Sequence, residues 1–245
     1  MNYQALLDRK TSWSPAPMEP EAISYEDGRL DTIWKAIALG LALELPVGQF
    51  TLSASKGDLP NDPAVVELLL SNTHDEEVHF AGFQAAERAY GCPTHLKEQA
   101  NEIAQLLIEH PDHTVVKAGY MELGVFFVTL PLIRKLGDVG LKMLSENISR
   151  DEATHVATNY QIIDQMGLKA SQSLSNLRVT IINWLTEDLK IAGMGRQYWL
   201  RQSEKLVLNR EAPDLSWTRV GQTPAFFEIS NASFSRYSSD LRTTV

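Results

Sequence analysis

Two short units along the chain combine residue types that bind metal ions. Glu76 precedes His79 by three positions, and Glu152 precedes His155 by the same spacing. Residues three apart are neighbours on an α-helix, so each unit can present one carboxylate and one imidazole to the same point. A single Glu-x-x-His unit is more often a solvated helix face than a ligand pair. The prediction of a metal site therefore depends on the residues that accompany the two units.

Two further glutamates interrupt apolar helix faces. Glu44 lies in the run LALEL (41–45), and Glu122 lies in the run MELGVF (121–126). Carboxylates almost never enter a protein core unless they are paired, protonated or bound to a metal. Two such carboxylates on two different helices indicate a shared cation in the interior.

The chain order is Glu44, Glu76-x-x-His79, Glu122, Glu152-x-x-His155, which is the arrangement of ferritin-like di-iron and di-manganese carboxylate sites. The steps of 32 residues from Glu44 to Glu76 and 30 from Glu122 to Glu152 suit one helix out, a turn and one helix back. Four carboxylates balance two divalent ions, and oxygen ligands with imidazole suit iron or manganese. The alternative is a set of partly exposed residues, with core histidines satisfied by ordinary hydrogen bonds.

The elements that must position these residues are predicted to be helices, and no convincing set of strands is present. Apolar residues recur at helical spacing, with proline and glycine at the expected ends. Pro46 and Gly48 are predicted to end the first helix, and Pro131 to break or kink the fourth. The predicted helices cover residues 30–47, 62–90, 96–109, 114–130, 141–166 and 174–207.

We expect an all-α, ferritin-like helical bundle of one domain, with the dinuclear metal site in its core. Residues 1–28, rich in proline, are predicted to form an extended N-terminal arm. Residues 29–209 form the bundle. Residues 210–245 turn to Pro, Ser, Thr and single aromatics, which indicates a C-terminal tail that is at most partly ordered.

Composition excludes several functional classes. A formal charge of −9 and a pI near 5.2 leave no basic surface for nucleic acid or for anionic membranes. Cys92 is the single cysteine, which excludes an internal disulfide and a thiolate cluster and fits a reducing, cytoplasmic location. The most apolar stretch, Leu123 to Ile133, is shorter than the ~20 residues of a membrane span. We therefore expect no nucleic-acid or membrane partner.

The segment ISRDEATH (148–155) resembles the Arg-Asp-Glu-x-x-His signature of the small (β) subunit of class I ribonucleotide reductase. The resemblance covers roughly residues 11 to 166. It implies that Asp151 hydrogen-bonds the ligand His79 on a radical-transfer route. The segment TSWSP (11–15) is similar to the family's Trp-x-Pro element, which makes Trp13 the relay tryptophan. Tyr237 matches by position the tail tyrosine that passes the radical to the large subunit.

Each of these three residues also has an ordinary reading. Asp151 could be a surface acid, Trp13 a packing anchor for the arm, and Tyr237 an exposed tyrosine. Phe83 departs from the family, because it stands four residues after His79, where the radical tyrosine usually lies. The resemblance then implies that the oxidising equivalent stays on the metals. A Mn/Fe or Mn/Mn centre is favoured over Fe/Fe with a tyrosyl radical, and the short chain is similar to compact, phage-type members.

The resemblance implies a radical-generating subunit of ribonucleoside-diphosphate or triphosphate reductase. Such a subunit assembles its di-metal cofactor with O2 or a reduced oxygen species. It then delivers a radical to the catalytic large (α) subunit for deoxyribonucleotide synthesis and DNA replication. We expect a homodimer, and the chain has no Gly-rich phosphate loop or cysteine pair of its own. The alternatives are a ferritin-like di-iron oxidase or oxygenase acting on a small organic substrate or peroxide, and an iron-storage or non-catalytic helical scaffold.

Overall fold

The computed structural model describes residues 3–20 and 23–208. Helices make up 76% of the structure, and the described ranges contain no strand, which confirms the all-α class. A short 3-10 turn, Glu26–Gly28, precedes the second helix. The helices are α1 (Tyr3–Leu7), α2 (Arg29–Ala54), α3 (Pro63–Tyr90), α4 (Thr94–Ile108), α5 (Thr114–Met121), a π-helical segment (Glu122–Phe126), α6 (Phe127–Leu136), α7 (Val139–Gln165), α8 (Gln172–Thr186) and α9 (Arg196–Leu208).

Helix α2 does not end at Pro46 and Gly48, and that prediction was wrong. The helix runs through both residues to Ala54. Proline removes one hydrogen bond from a helix, but the buried Val47 and Phe50 on the following turn hold the helix against the core. Gly48 serves close packing instead, because a Cβ added there would lie 3.1 Å from Cβ of Glu76 on α3. The proline and glycine signals therefore mark a helix contact beside the predicted ligands.

The predicted break at Pro131 was also wrong, because Pro131 lies inside α6. The irregularity comes earlier, in the π-helical segment that joins α5 to α6 and begins at Glu122. A π turn widens the helix by one residue and often lies at a functional site. The widened turn is held from outside, because Ser203 Oγ of α9 donates a hydrogen bond to the Gly124 carbonyl at 2.5 Å.

The predicted helix 174–207 is two helices, α8 and α9. Residues 187–195 separate them, with Gly193 at a φ of 75°, in the left-handed region that favours glycine. Apolar periodicity continued across this gap and concealed it. The chain turns there so that α9 lies on the π-helical segment and on α6.

The N-terminal arm is not wholly extended, because it begins with α1. Tyr3 and Leu6 of α1 are buried, and the helix contacts α3 and α7. The Tyr3 hydroxyl donates to Gln165 Oε1 at the end of α7, at 3.0 Å. The arm is thus packed on the bundle and reaches the helices that carry the two Glu-x-x-His units. The predicted tail, residues 210–245, lies outside the described residues.

Two helical stretches, Glu26–Ala54 and Thr114–Leu136, are long and apolar enough to cross a membrane. Both are longer than the apolar stretch picked out from the sequence. Of their most apolar windows, 67% and 100% are buried within the fold. Burial in the core accounts for their apolar character. These two stretches, with α3 and α7, pack on one another and enclose the predicted ligands.

Candidate metal centre

Four helical segments each bring part of the predicted ligand set to the middle of the bundle. α2 supplies one glutamate, the π-helical segment supplies another, and α3 and α7 each supply a Glu-x-x-His unit. Every one of these residues has 0% of its surface exposed. The structure therefore brings together all six: Glu44, Glu76, His79, Glu122, Glu152 and His155.

The six residues form two adjacent groups, each of which could hold a metal ion. Ligand atoms of Glu44, Glu76, His79 and Glu152 lie within 4.8 Å of one another, and we call this group the His79 position. Ligand atoms of Glu76, Glu122, Glu152 and His155 do the same, and form the His155 position. Glu76 and Glu152 belong to both groups, so each carboxylate could bridge two ions.

The distances agree with a shared centre. His79 Nδ1 lies 3.3 Å from Glu76 Oε2 and 3.5 Å from both Glu44 Oε2 and Glu152 Oε1. His155 Nδ1 lies 3.1 Å from Glu76 Oε1 and 3.6 Å from Glu152 Oε2. The two imidazole centroids are 5.7 Å apart. In each histidine the same ring nitrogen faces the carboxylates.

The atoms that face this centre have no hydrogen-bond partner within the described protein. A buried polar atom without a partner costs about 1–3 kcal/mol, so a cluster of them requires an explanation. Two cations placed among these atoms would give every one of them a partner. The residues therefore fit a metal centre. The nine atoms are both carboxylate oxygens of Glu44, Glu76 and Glu152, Oε1 of Glu122, and Nδ1 of His79 and His155.

The electrostatics of the centre point the same way. Burial, with the charge of Glu76, raises the pKa of Glu44 well above its ordinary value. Burial, with the charge of Glu152, does the same for the pKa of Glu122. Burial also acts on Glu76, but its close contacts with the imidazoles of His155 and His79 outweigh burial and lower that pKa. Without metal ions, Glu44 and Glu122 must take up protons, which lowers the negative charge of the buried cluster.

The far side of each histidine ring hydrogen-bonds a carboxylate. His79 Nε2 lies 3.1 Å from Asp151 Oδ2, as the resemblance implied, and His155 Nε2 lies 3.0 Å from Asp75 Oδ2. A carboxylate can only accept, so each Nε2 carries a proton, and Nδ1 is the nitrogen that faces the glutamates and would bind a metal. Asp151 and Asp75 therefore hold both imidazoles in the orientation that metal binding needs.

Asp75 was missed in the sequence, although a signal was present. The run Asp75-Glu76-x-x-His79 repeats the pattern of Asp151-Glu152-x-x-His155. The structure pairs the two units crosswise, so the aspartate of each unit serves the histidine of the other. Hydrogen bonds from His155 and the charge of Lys10 overcome burial and lower the pKa of Asp75 to about 2.

Residues of the N-terminal arm contact the two aspartates that hold the histidines. Trp13 Nε1 donates to Asp151 Oδ2 at 2.7 Å, and the Trp13 ring stacks on His79 with centroids 6.1 Å apart. On the other side, the Lys10 ammonium pairs with Asp75. One histidine thus connects through an aspartate to an indole, and the other connects through an aspartate to a cation.

Two further residues shape the centre. Asn159 Nδ2 donates to Glu122 Oε2 at 2.8 Å and so holds the glutamate of the π-helical segment; sequence reasoning did not identify Asn159. Phe83 is 1% exposed, and its ring lies over Gly40 of α2, one turn from Glu44. Its position offers no hydroxyl to the centre. Tyr237, the predicted tail tyrosine, lies outside the described residues.

Comparisons with protein-family models, with curated proteins and with solved structures found no match for this chain. The class that the fold and the site define is an all-α protein with a buried carboxylate and histidine cluster able to hold metal.

Proposed function

We propose that the chain is a ferritin-like di-metal protein, and that it acts as the radical-generating small (β) subunit of a ribonucleotide reductase. The observation that carries this proposal is the hydrogen-bonded path from Trp13 through Asp151 to His79. The path joins an aromatic side chain of the arm to the buried ligand set. A purely structural metal site does not need such a connection.

The donor set supports two ions of iron or manganese, held by Glu44, Glu76, His79, Glu122, Glu152 and His155. Oxygen and imidazole ligands without thiolate suit these metals. When bound and activated by O2 or a reduced oxygen species, the ions supply a strong one-electron oxidant. The buried rings of Phe83, Phe126 and Phe127 keep water and reductants away from that oxidant.

The side chains of the path from Trp13 to His79 would have separate roles in electron and proton transfer. Trp13 would give up an electron to ions held at the centre, and its indole N–H would become acidic as it did so. Asp151 Oδ2 accepts hydrogen bonds from both Trp13 and His79, so it can take the indole proton and return it. Trp13 is half-buried, which places the radical near the surface, toward a partner.

In this proposal the partner is the large (α) subunit, which carries the nucleotide site. Tyr237 passes the radical onward from Trp13, and two copies of the chain form a homodimer. Phe83 cannot store a phenoxyl-type radical, so the bound ions themselves would have to supply the oxidising equivalent. This favours a Mn/Fe or Mn/Mn centre over Fe/Fe with a tyrosyl radical.

The competing function is a di-iron oxidase or oxygenase, which must admit its substrate to the ions. Two surface cavities of the described structure, of 430 and 260 Å³, are lined by none of the six predicted ligands. The larger borders Pro15 and Met18 of the arm, and the smaller borders Tyr120 and Tyr160. Neither cavity therefore supplies the substrate pocket that this alternative needs.

The test is nucleotide reduction by metal-loaded protein mixed with a ribonucleotide reductase large subunit. Trp13→Phe removes the N–H that Asp151 accepts and should abolish reduction while metal content stays at the wild-type level. Trp184→Phe is the matched control, because Trp184 Nε1 also donates to a side-chain oxygen, that of Gln99, away from the centre. Wild-type reduction by Trp13→Phe, or turnover of an organic substrate without the partner, would favour the oxidase.

A further inference from the structure

The two metal positions differ in what lies behind their histidines. Behind His79, Asp151 accepts a hydrogen bond from the neutral indole of Trp13. Behind His155, Asp75 pairs with the Lys10 ammonium, and the side chains of that pair are 13% and 16% exposed. Each half has three glutamates and one histidine as ligands. The contrast between Trp13 and Lys10 is therefore a difference in charge that the ligand types do not contain.

The charged groups around the two metal positions also differ. The four glutamates balance two divalent ions, and Lys10 balances Asp75. No lysine or arginine in the described part of the chain pairs with Asp151. Its neighbour Arg150 is turned away and donates to Asn147 Oδ1 at 3.3 Å. The carboxylate on the outer side of His79 thus has no cationic side chain paired with it in the described structure. The carboxylate on the outer side of His155 is paired with Lys10.

We propose that Lys10 makes the two positions unequal, so that the His79 position binds a cation more tightly than the His155 position. The ammonium draws electron density from Asp75, which weakens the donation that Asp75 provides to His155. It also repels a cation at the His155 position through a water-poor interior. The same field favours the more highly charged ion at the His79 position, beside Trp13.

This inference rests on the proposed metal centre and adds which of its two positions connects to Trp13 as the oxidising one. An oxidising equivalent placed at the His79 position lies at the end of the path to Trp13. Placed at the His155 position, it would face Lys10, which cannot give up an electron at an accessible potential. Lys10 is thus a positioning residue, which acts on the ions through Asp75 and His155.

The experiment is stepwise titration of the chelator-treated full-length protein with Mn²⁺, followed by calorimetry. Wild type should bind two ions in two unequal steps. Lys10→Met should tighten the weaker step by about tenfold, which corresponds to ~1.4 kcal/mol, and should change the stronger step less. Lys10→Arg keeps the charge and should match wild type. Lys97→Met is the surface control, because Lys97 pairs with Glu87 at the surface.

Crystals grown with one equivalent of Mn²⁺ assign the steps. Anomalous scattering should lie at the His79 position in wild type and at both positions in Lys10→Met. Equal first and second steps in wild type, or a weaker step that Lys10→Met leaves unchanged, would overturn the inference and leave the proposed function standing. Failure of wild type to bind two ions would refute both. If Lys10→Met does not fold, as judged by circular dichroism, Lys10→Gln serves the same comparison.

Discussion

Replacement of Glu44 by methionine should stabilise the metal-free protein and at the same time weaken its response to metal. The Glu44 side chain is 1% exposed, and neither of its carboxylate oxygens has a partner without a cation. Exchange of a buried ionic cluster for apolar residues of similar volume is often neutral or stabilises proteins by about 1–4 kcal/mol, and a buried polar group without a partner costs about 1–3 kcal/mol. Glu44 lowers its own cost by taking up a proton, since its pKa is raised. We therefore expect a gain of about 2 kcal/mol.

Bound metal stabilises the folded protein, and the ligand groups determine how much of that stabilisation Glu44→Met keeps. An ion present at 100 times its Kd stabilises a protein by about 2.7 kcal/mol, so two ions contribute about 5 kcal/mol. Glu44 belongs only to the His79 position. Glu44→Met should then retain the contribution of one ion, about 2.7 kcal/mol, and its metal-induced stabilisation should be roughly half that of wild type.

Scanning calorimetry with a chelator and then with saturating Mn²⁺ measures both quantities. For a chain of this length 1 kcal/mol shifts Tm by about 2–4 °C, so Glu44→Met in chelator should melt about 4–8 °C above wild type. Glu67→Met makes the same chemical change at an exposed position of α3 and should shift neither value appreciably. A variant less stable than wild type in chelator, or one with an undiminished Mn²⁺ response, would refute the reasoning.

Three further outcomes follow from the structure. Because Glu44 and Glu122 have raised pKa values, Mn²⁺ must displace protons; affinity should rise with pH, and calorimetry in buffers of different ionisation enthalpy should detect the release. Burial raises the pKa of Glu146 from 4.5 to about 7, so the folded state loses stability as pH rises between those values. Glu146→Gln should therefore be more stable than wild type at pH 8 by about 1–2 kcal/mol and equal to it at pH 4.5, in urea unfolding of the metal-free protein. A Cβ at Gly40 would lie 2.5 Å from the Phe83 ring, so Gly40→Ala should cost about 1–3 kcal/mol in the same assay.

The metal-ligand residues were predictable because their chemistry conflicts with their surroundings. A glutamate such as Glu44 or Glu122 within an apolar helix face needs a reason to be buried, and the Glu-x-x-His spacing identifies the partners. Helical periodicity then placed the residues on facing elements. The pairing of Asp151 with His79 came from the family resemblance, and the structure contains that hydrogen bond.

The remaining features depend on tertiary contacts that local signals do not describe. Pro46 lies within a helix because the following turn is buried, and the π-helical segment is held by Ser203, 79 residues further along the chain. Lys10 has no sequence feature that sets it apart from the other lysines. Its role depends on the packing of α1 against α3 and α7, which brings the arm to Asp75.

The residues that hold the ions and the residues that connect them to the surroundings come from separate stretches of polypeptide. Helices α2, α3 and α7 and the π-helical segment supply every ligand, while positions 10 and 13 of a single arm supply both outer groups. Exchange of that arm alone would leave the cage of carboxylates and imidazoles intact and alter which ion is favoured and where an electron enters. One bundle could thus acquire a different redox task through a change in fewer than thirty residues at its N-terminus.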